Sequence, residues 1–241
     1  YDFSLFESAI YDNDLNAIKQ LVSTGTDVNA SDPDGWTPLM IASSDNSNPN
    51  IAKALIDAGA DVNAVDVYGA TPLMYAAANN SNPNVVKALI DAGADVNATD
   101  SYGSTALTYS ASDNSNPSVT KALIDAGADI YVFDADGWTA LMWAASNNNI
   151  GVIKILIEAG LSVDDVDFYG STTLMYAAAN NNNPDMIKTL VNAEANVNAK
   201  DFDGCTPLMY AAANNKNPDV IKALVEVGAD INARDNDGWT P

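Results

Sequence analysis

The chain has 241 residues, and 32 acidic against 10 basic residues give it a formal net charge of −22 at pH 7. A surface this negative repels phosphate backbones and anionic lipid, so the composition excludes nucleic acid and a membrane surface as partners and favours a basic protein. No apolar run approaches the roughly 20 residues needed to cross a bilayer.

The chain contains one cysteine, Cys205, and no histidine. A single thiol cannot form an internal disulfide, so no oxidising compartment is implied, and we expect a soluble protein with the cytoplasm as the favoured location. Without histidine there is no Ser–His or Cys–His nucleophile and no Cys/His zinc set. We therefore predict that the chain is not an enzyme and binds neither a cofactor nor a metal. We interpret Cys205 as a small half-buried residue; the alternative is a reactive thiol.

An aspartate recurs along the chain, three residues before a glycine, with spacings of 34, 34, 34, 33, 34 and 34 residues. These aspartates are Asp32, Asp66, Asp100, Asp134, Asp167, Asp201 and Asp235. Such a constant phase indicates an array of repeated structural units. We predict one domain over residues 1–241, divided into a divergent N-terminal unit at 1–31, repeats at 32–65, 66–99, 100–133, 134–166, 167–200 and 201–234, and a stub of a further repeat at 235–241.

The second repeat shows how each unit begins. Residues 66–69 predict a turn, because aspartate bonds its own backbone and glycine accepts a positive φ. Thr71 and Pro72 then predict the start of a helix, since threonine caps and proline fits the first helical position. Asn79 and Asn80 predict its end, because asparagine tolerates the left-handed conformation.

A second helix follows in the same repeat. Asn82 and Pro83 predict its start, and Gly93 predicts its end. The repeat at 134–166 lacks this Asn-Pro pair and has 33 residues, so the additional residue of the other repeats is predicted to lie between the two helices. Because no helix pair can bury its apolar face alone, the units must stack. The predicted fold class is therefore all-α, a solenoid of stacked helix-turn-helix units.

The pattern D-x-x-G-x-T-P-L-x-x-A-A followed by G-A-D-V-N-A, which stands at 32–39 and 59–64, resembles the ankyrin repeat. The resemblance covers essentially the whole chain. It implies antiparallel helix pairs joined by β-hairpin loops that project as fingers, and partners that dock on the fingers and the concave helix face. The chain departs from the family where methionine replaces the usual histidine after Thr-Pro-Leu, as at Met74. It also departs at Glu194, where we expect a local distortion because glycine is replaced.

Aromatic residues are frequent at the variable finger positions, and they are the residue types that anchor interfaces. The predicted partner-binding residues are Trp36, Tyr68, Tyr102, Phe133, Trp138, Trp143, Phe168, Tyr169 and Phe202. We predict a patch centred on the last six of these and rimmed by Asp134, Asp136, Asp164 and Asp167. The alternative is that they are scattered surface aromatics without a partner.

A second set of aromatics lies nine residues after five of the seven recurring aspartates: Tyr75, Tyr109, Trp143, Tyr176 and Tyr210. We interpret these column aromatics as partly packed between repeats; the alternative is direct contact with a partner.

The predicted function is a protein–protein interaction module, a rigid acidic scaffold that binds a macromolecular partner through aromatic fingers and the concave face. The alternative is the repeat arm of a larger enzyme, toxin or effector, since the chain stops inside a repeat and we expect it to be a piece of a longer protein. A further prediction is end-to-end self-association through Leu208, Ala212, Val220 and Leu224.

Overall fold

The structure, a computed structural model, describes residues 2–241. These residues form fourteen α-helices, which confirms the all-α class. The helices are α1 (Asp2–Tyr11), α2 (Leu15–Ser23), α3 (Pro38–Asp45), α4 (Pro49–Asp57), α5 (Pro72–Asn79), α6 (Pro83–Asp91), α7 (Ala106–Ser112), α8 (Pro117–Asp125), α9 (Ala140–Ser146), α10 (Ile150–Glu158), α11 (Thr173–Asn180), α12 (Pro184–Asn192), α13 (Pro207–Asn214) and α14 (Pro218–Glu226).

The chain divides into two compact units, with the boundary after Asp129. In unit 1, residues 2–129, the odd-numbered helices α1, α3, α5 and α7 pack side by side in one layer, and α2, α4, α6 and α8 form a second. In unit 2, residues 130–241, α9, α11 and α13 form the first layer, and each packs on the helix that follows it. The single domain over 1–241 remains a prediction.

The first helix of most repeats is capped by a threonine and a methionine. The hydroxyl of Thr71 accepts the Met74 N–H at 3.3 Å, while the Thr71 N–H donates to the Met74 Sδ at 3.4 Å. Other threonine N–H groups that donate to a methionine thioether are those of Thr37, Thr172 and Thr206. The thioether is a weak acceptor, yet it occupies the place that histidine takes in the family.

The second helices end on a left-handed residue, as predicted. Gly93 has φ +93° and its N–H donates to the Ile90 carbonyl at 2.9 Å. Glu194 adopts φ +71° and donates to the Val191 carbonyl at the same 2.9 Å. The predicted local distortion is therefore wrong: the helix end keeps its hydrogen bond, and the strain lies in the φ angle of Glu194, at a cost of about 1 kcal/mol.

Helix α5 ends at Asn79 and Asn80, as predicted, but not in the predicted conformation. Asn80 has φ −91° and ψ 116°, which is extended rather than left-handed. Its side chain is buried and donates to the carbonyls of Ser43 at 2.9 Å and Asn46 at 3.0 Å in the preceding repeat. Its amide oxygen accepts the Asn82 N–H at 3.0 Å. Asparagine here satisfies buried backbone groups across the repeat boundary.

The same position forms an asparagine ladder, which we define as Asn46, Asn80, Asn114, Asn181 and Asn215. Each donates its side-chain amide N–H to a backbone carbonyl of the preceding helix pair. Within each unit, the ladder therefore joins neighbouring helix pairs by hydrogen bonds, in addition to their apolar packing.

Left-handed asparagine occurs instead where the Asn-Pro pair is missing. Asn13 has φ +52° and Asn148 has φ +61°. In the 33-residue repeat, the helix-capping residues Thr139 and Asn149 are ten positions apart, against eleven for Thr71 and Asn82 in the second repeat. The missing residue therefore lies between the two helix starts. Because α9 has 7 residues against 8 in α5, and three residues separate the two helices in both repeats, it is missing from the first helix, and the prediction that it lies between the helices is wrong.

Candidate functional site

Each finger is a tight turn held by its aspartate. We define a finger turn as the five residues from the aspartate to the residue after the glycine, for example 66–70. Asp66 is buried, and its Oδ1 accepts the N–H groups of Tyr68 and Ala70, both at 2.8 Å. Gly69 has φ +80°, so the predicted turn chemistry is confirmed. Among residues 2–241 the fingers are turns rather than strands, with one isolated antiparallel bridge between Val166 and Thr172.

Neighbouring finger turns are joined through their backbones within each unit. The Val67 N–H donates to the Asp34 carbonyl at 3.0 Å, and the Phe202 N–H donates to the Tyr169 carbonyl at 3.1 Å. The turns approach so closely that a Cβ on Gly35 would lie 2.9 Å from the Cα of Asp66. The finger tips therefore stand on a fixed backbone framework.

The column aromatics bond to the aspartate of their own finger turn. The Oδ2 atom accepts from Tyr75 at 2.5 Å in the second repeat, from Tyr109 at 2.7 Å in the third and from the Trp143 indole N–H at 2.8 Å in the fourth. Tyr176 and Tyr210 make the same bond. All five rings are also half-buried. Packing between repeats is confirmed for Tyr75, Tyr176 and Tyr210, which contact Trp36, Trp138 and Ser171 of the preceding repeat.

Burial affects the ionisation of these phenols. Burial and the hydrogen bond to Asp66 raise the pKa of Tyr75 above its ordinary value. Burial also raises the pKa of Tyr210 to about 12, an effect that the hydroxyl of Ser171 partly offsets. Each phenol is therefore held as a neutral donor to its turn.

Two finger tryptophans pack against column aromatics, with the ring planes tilted by 47° to 48°. The ring centroid of Trp36 lies 4.3 Å from that of Tyr75 in the next repeat. Trp138 lies 4.6 Å from Trp143 in its own repeat and 4.0 Å from Tyr176 in the next. Both tryptophans are consequently half-buried and brace adjacent repeats.

Charge is segregated between the two layers of unit 1. All basic residues of its described part lie on second helices: Lys19, Lys53, Lys87 and Lys121. The finger turns and first helices of that unit carry acidic side chains and no basic one. The fingers and first helices of unit 1 therefore present a negative face.

A family model described as "Ankyrin repeats (3 copies)" matches residues 5–100, 77–167 and 161–235. The chain belongs to the ankyrin-repeat family. Among solved structures, the crystal structure of the human ASB11 ankyrin repeat domain is similar, with 26% sequence identity and a TM-score of 0.79 over 93% of this chain and 98% of that chain. No curated protein sequence matches. Ankyrin repeats are generally protein-interaction modules.

Within these ankyrin repeats, the predicted partner-binding residues divide into two groups. Trp36, Trp138 and Trp143 are half-buried in the tilted ring contacts described above. The exposed group comprises Tyr68, Tyr102, Phe133, Phe168, Tyr169 and Phe202. The sequence could not separate these groups, because the burial of Trp36 and Trp138 depends on contact with a column aromatic of the next repeat.

Two of the predicted rim residues have a different role. Asp134 and Asp167 are buried turn aspartates whose carboxylates bond to their own fingers, so the prediction that they rim a binding patch is wrong. Asp136 and Asp164 are exposed and keep the rim prediction.

The residues chosen for end-to-end self-association are mostly internal. Leu208, Val220 and Leu224 are buried within the last helix pair, whereas Ala212 is exposed. Self-association of these ankyrin repeats remains a prediction, but Leu208, Val220 and Leu224 are too buried to form the contact surface.

Cys205 occupies the fifth position of its finger turn and is partly exposed. Burial and the nearby Asp201 raise the pKa of its thiol, which disfavours the nucleophilic thiolate. Within residues 2–241, no three Cys, Asp or Glu side chains come close enough to hold a metal ion. Of the helices formed by those residues, none combines the length and apolar character that crossing a membrane requires.

Proposed function

We propose that this ankyrin-repeat chain is a non-catalytic module that holds a basic protein through its finger turns and first helices. The observation that carries the proposal is the segregation of charge in unit 1, where lysines lie on the second helices and the opposite layer is acidic. A positive partner approaching this layer meets complementary potential, which favours association with it over the lysine-bearing layer.

Exposed rings on finger turns supply the apolar part of the contact. In unit 2, Phe168 is 65% exposed and Phe202 is 70% exposed. Large aromatic side chains at such positions are typical anchors of protein interfaces. Because the turns are joined through their backbones, little conformational freedom is lost when a partner orders these tips.

The proposal is tested by affinity capture with the intact chain from cell extract, followed by identification of the retained protein. We expect a basic protein whose retention falls as NaCl rises, because exposed charge pairs are screened by salt. The double variant Phe168→Ser with Phe202→Ser should weaken binding at least tenfold, about 1.4 kcal/mol.

The matched control is Val225→Ser, since Val225 is 45% exposed on the second helix α14. It should leave retention unchanged. Capture of an acidic partner, or binding that the control abolishes and the finger variant does not, would show that the face has been placed wrongly.

A further inference from the structure

The fifth position of the finger turn decides whether the place beside the next column aromatic is filled. The residues at this position are Trp36, Ala70, Ser104, Trp138, Ser171, Cys205 and Trp239. Where Trp36 stands, its indole lies against Tyr75, and where Trp138 stands, its indole lies against Tyr176. A flat ring in this place is thus part of the chain's own packing.

In the second repeat the fifth position is alanine, and a cleft of about 350 Å³ opens there. The residues that line the cleft include Tyr68, Ala70, Tyr75, Tyr102, Tyr109 and Asp113. We call this the Ala70 cleft. It lies entirely within unit 1, between two finger turns and the first helices α5 and α7.

The chemistry of the Ala70 cleft favours a cation. The hydroxyls of Tyr75 and Tyr109 donate to the carboxylates of Asp66 and Asp100, so negative charge lies behind the two inner rings. Aromatic faces attract cations through the ring quadrupole. The carboxylate of Asp113 is exposed at the same cleft, and the surrounding layer contains no basic residue within the described part of unit 1.

Among protein cations, the guanidinium group suits this cleft better than an ammonium group. Guanidinium is planar, weakly hydrated and stacks on aromatic rings, whereas an ammonium is compact and strongly hydrated. The two tryptophans at the equivalent position show that the backbone spacing accepts a flat group beside the column aromatic.

We propose that the Ala70 cleft receives an arginine side chain of the basic protein partner, with its guanidinium against Tyr109 and its charge neutralised by Asp113. This inference rests on the proposed function for the partner but concerns one site and one side chain. Tyr68 and Tyr102, 56% and 58% exposed, form the outer walls.

The site is tested without the partner, by NMR of the intact chain carrying ¹³C-labelled tyrosine. The probes are N-acetyl-arginine methylamide, its lysine analogue and its neutral citrulline analogue. We expect saturable shifts of the Tyr75 and Tyr109 ring signals with the arginine probe. The citrulline probe should bind at least tenfold more weakly because it lacks the charge, and the lysine probe at least threefold more weakly because it cannot stack.

The filling variant is Ala70→Trp, which places at the second repeat the residue that the first and fourth repeats carry. It should raise the dissociation constant of the arginine probe at least tenfold. Val67→Trp is the matched control, because Val67 is 59% exposed in the same finger turn and does not line the cleft. It should leave the dissociation constant unchanged.

Because Ala70 itself is buried, Tyr102→Ser provides a second variant that removes an exposed wall without disturbing the core. It should weaken the arginine probe at least fivefold. Equal binding of the citrulline or lysine probe, or arginine binding that survives both cleft variants, overturns the proposal. If a captured basic protein binds the Ala70→Trp chain as tightly as the parent, the proposal for the Ala70 cleft is wrong and the proposed function stands. If the arginine probe binds but no basic protein is captured, the proposed function is wrong and the cleft still binds a guanidinium group.

Discussion

The second and fourth repeats build the same finger turn and use it differently. Asp66 and Asp134 each accept two backbone N–H groups through one carboxylate oxygen and a column aromatic through the other. The column aromatic is Tyr75 in the second repeat and Trp143 in the fourth. The hydrogen-bonded frame therefore closes with either ring, provided that the ring offers one donor.

The repeats differ at the fifth position and in the loop between their helices. Ala70 leaves a cleft open, whereas Trp138 fills the equivalent place. Asn80 is buried in the asparagine ladder, whereas Asn148 is exposed in a left-handed conformation. The hydrogen bonds of the aspartate thus specify the turn, while the residue at the fifth position determines whether the place beside the next column aromatic is filled or open.

The most severe test of the shared frame is removal of the turn aspartate. Asp66→Ala and Asp134→Ala should each reduce the free energy of unfolding by about 3 kcal/mol, because each leaves two backbone N–H groups and an aromatic donor without their acceptor. Urea denaturation measures both. The control Asp136→Ala removes an exposed carboxylate and should change stability by less than about 0.5 kcal/mol. A large cost at one aspartate and a small one at the other would show that the two frames are not equivalent.

The next test concerns the loop between the helices. Asn80→Ala should cost about 2 kcal/mol, because the carbonyls of Ser43 and Asn46 lose a buried donor. Asn148→Gly should lie within about 0.5 kcal/mol of the parent, since glycine relieves the positive φ while an exposed hydrogen bond to Asn183 is lost. Chemical denaturation of the two variants side by side decides the matter. If both variants lost the same free energy of unfolding, the buried hydrogen bonds of the asparagine ladder would contribute no more to stability than the exposed loop at Asn148.

The smallest effect at neutral pH comes from exchanging the column aromatics. The raised pKa of Tyr75 means that the folded chain holds the phenol proton more tightly than the unfolded chain. Stability is therefore full below pH 10, the ordinary value for tyrosine, and falls as pH rises above it. For Tyr210, whose pKa is about 12, that fall spans pH 10 to 12.

Tyr75→Trp keeps a donor for Asp66 but has no proton to lose, so the urea midpoint should fall less steeply between pH 10 and 12. The reverse exchange, Trp143→Tyr, should make that fall steeper. Both variants should unfold like the parent at pH 8, within about 0.5 kcal/mol. If the urea midpoint of both variants fell between pH 10 and 12 as steeply as that of the parent, the column aromatics would not be the cause of the loss of stability at alkaline pH.

Much of the fold follows from the sequence because its signals are local. The turn aspartate and its glycine lie within four residues, and the helix starts depend on Thr-Pro or Asn-Pro pairs, so each can be recognised from a few neighbours. The 33-residue repeat is an exception, because helix α9 ends one residue early while the segment between its two helices keeps its length.

The asparagine ladder was missed because its hydrogen bonds join residues 34 to 37 positions apart. Its signal was nevertheless present: asparagine recurs at 46, 80 and 114 in phase with the turn aspartate. The division of the finger aromatics was missed for a related reason. Trp36 is half-buried against Tyr75 of the next repeat, and a contact of this kind depends on the distance between repeats, which a linear pattern does not contain.

The methionine caps have a consequence for how the helices respond to acid. In four repeats a thioether accepts the threonine N–H at the start of the first helix. A histidine in that place would gain a proton between pH 8 and 5, whereas a thioether has none to gain, and the chain contains no histidine at all. These caps therefore keep one protonation state through mild acidification, and the first helices begin at the same threonines in a neutral and in a weakly acidic medium.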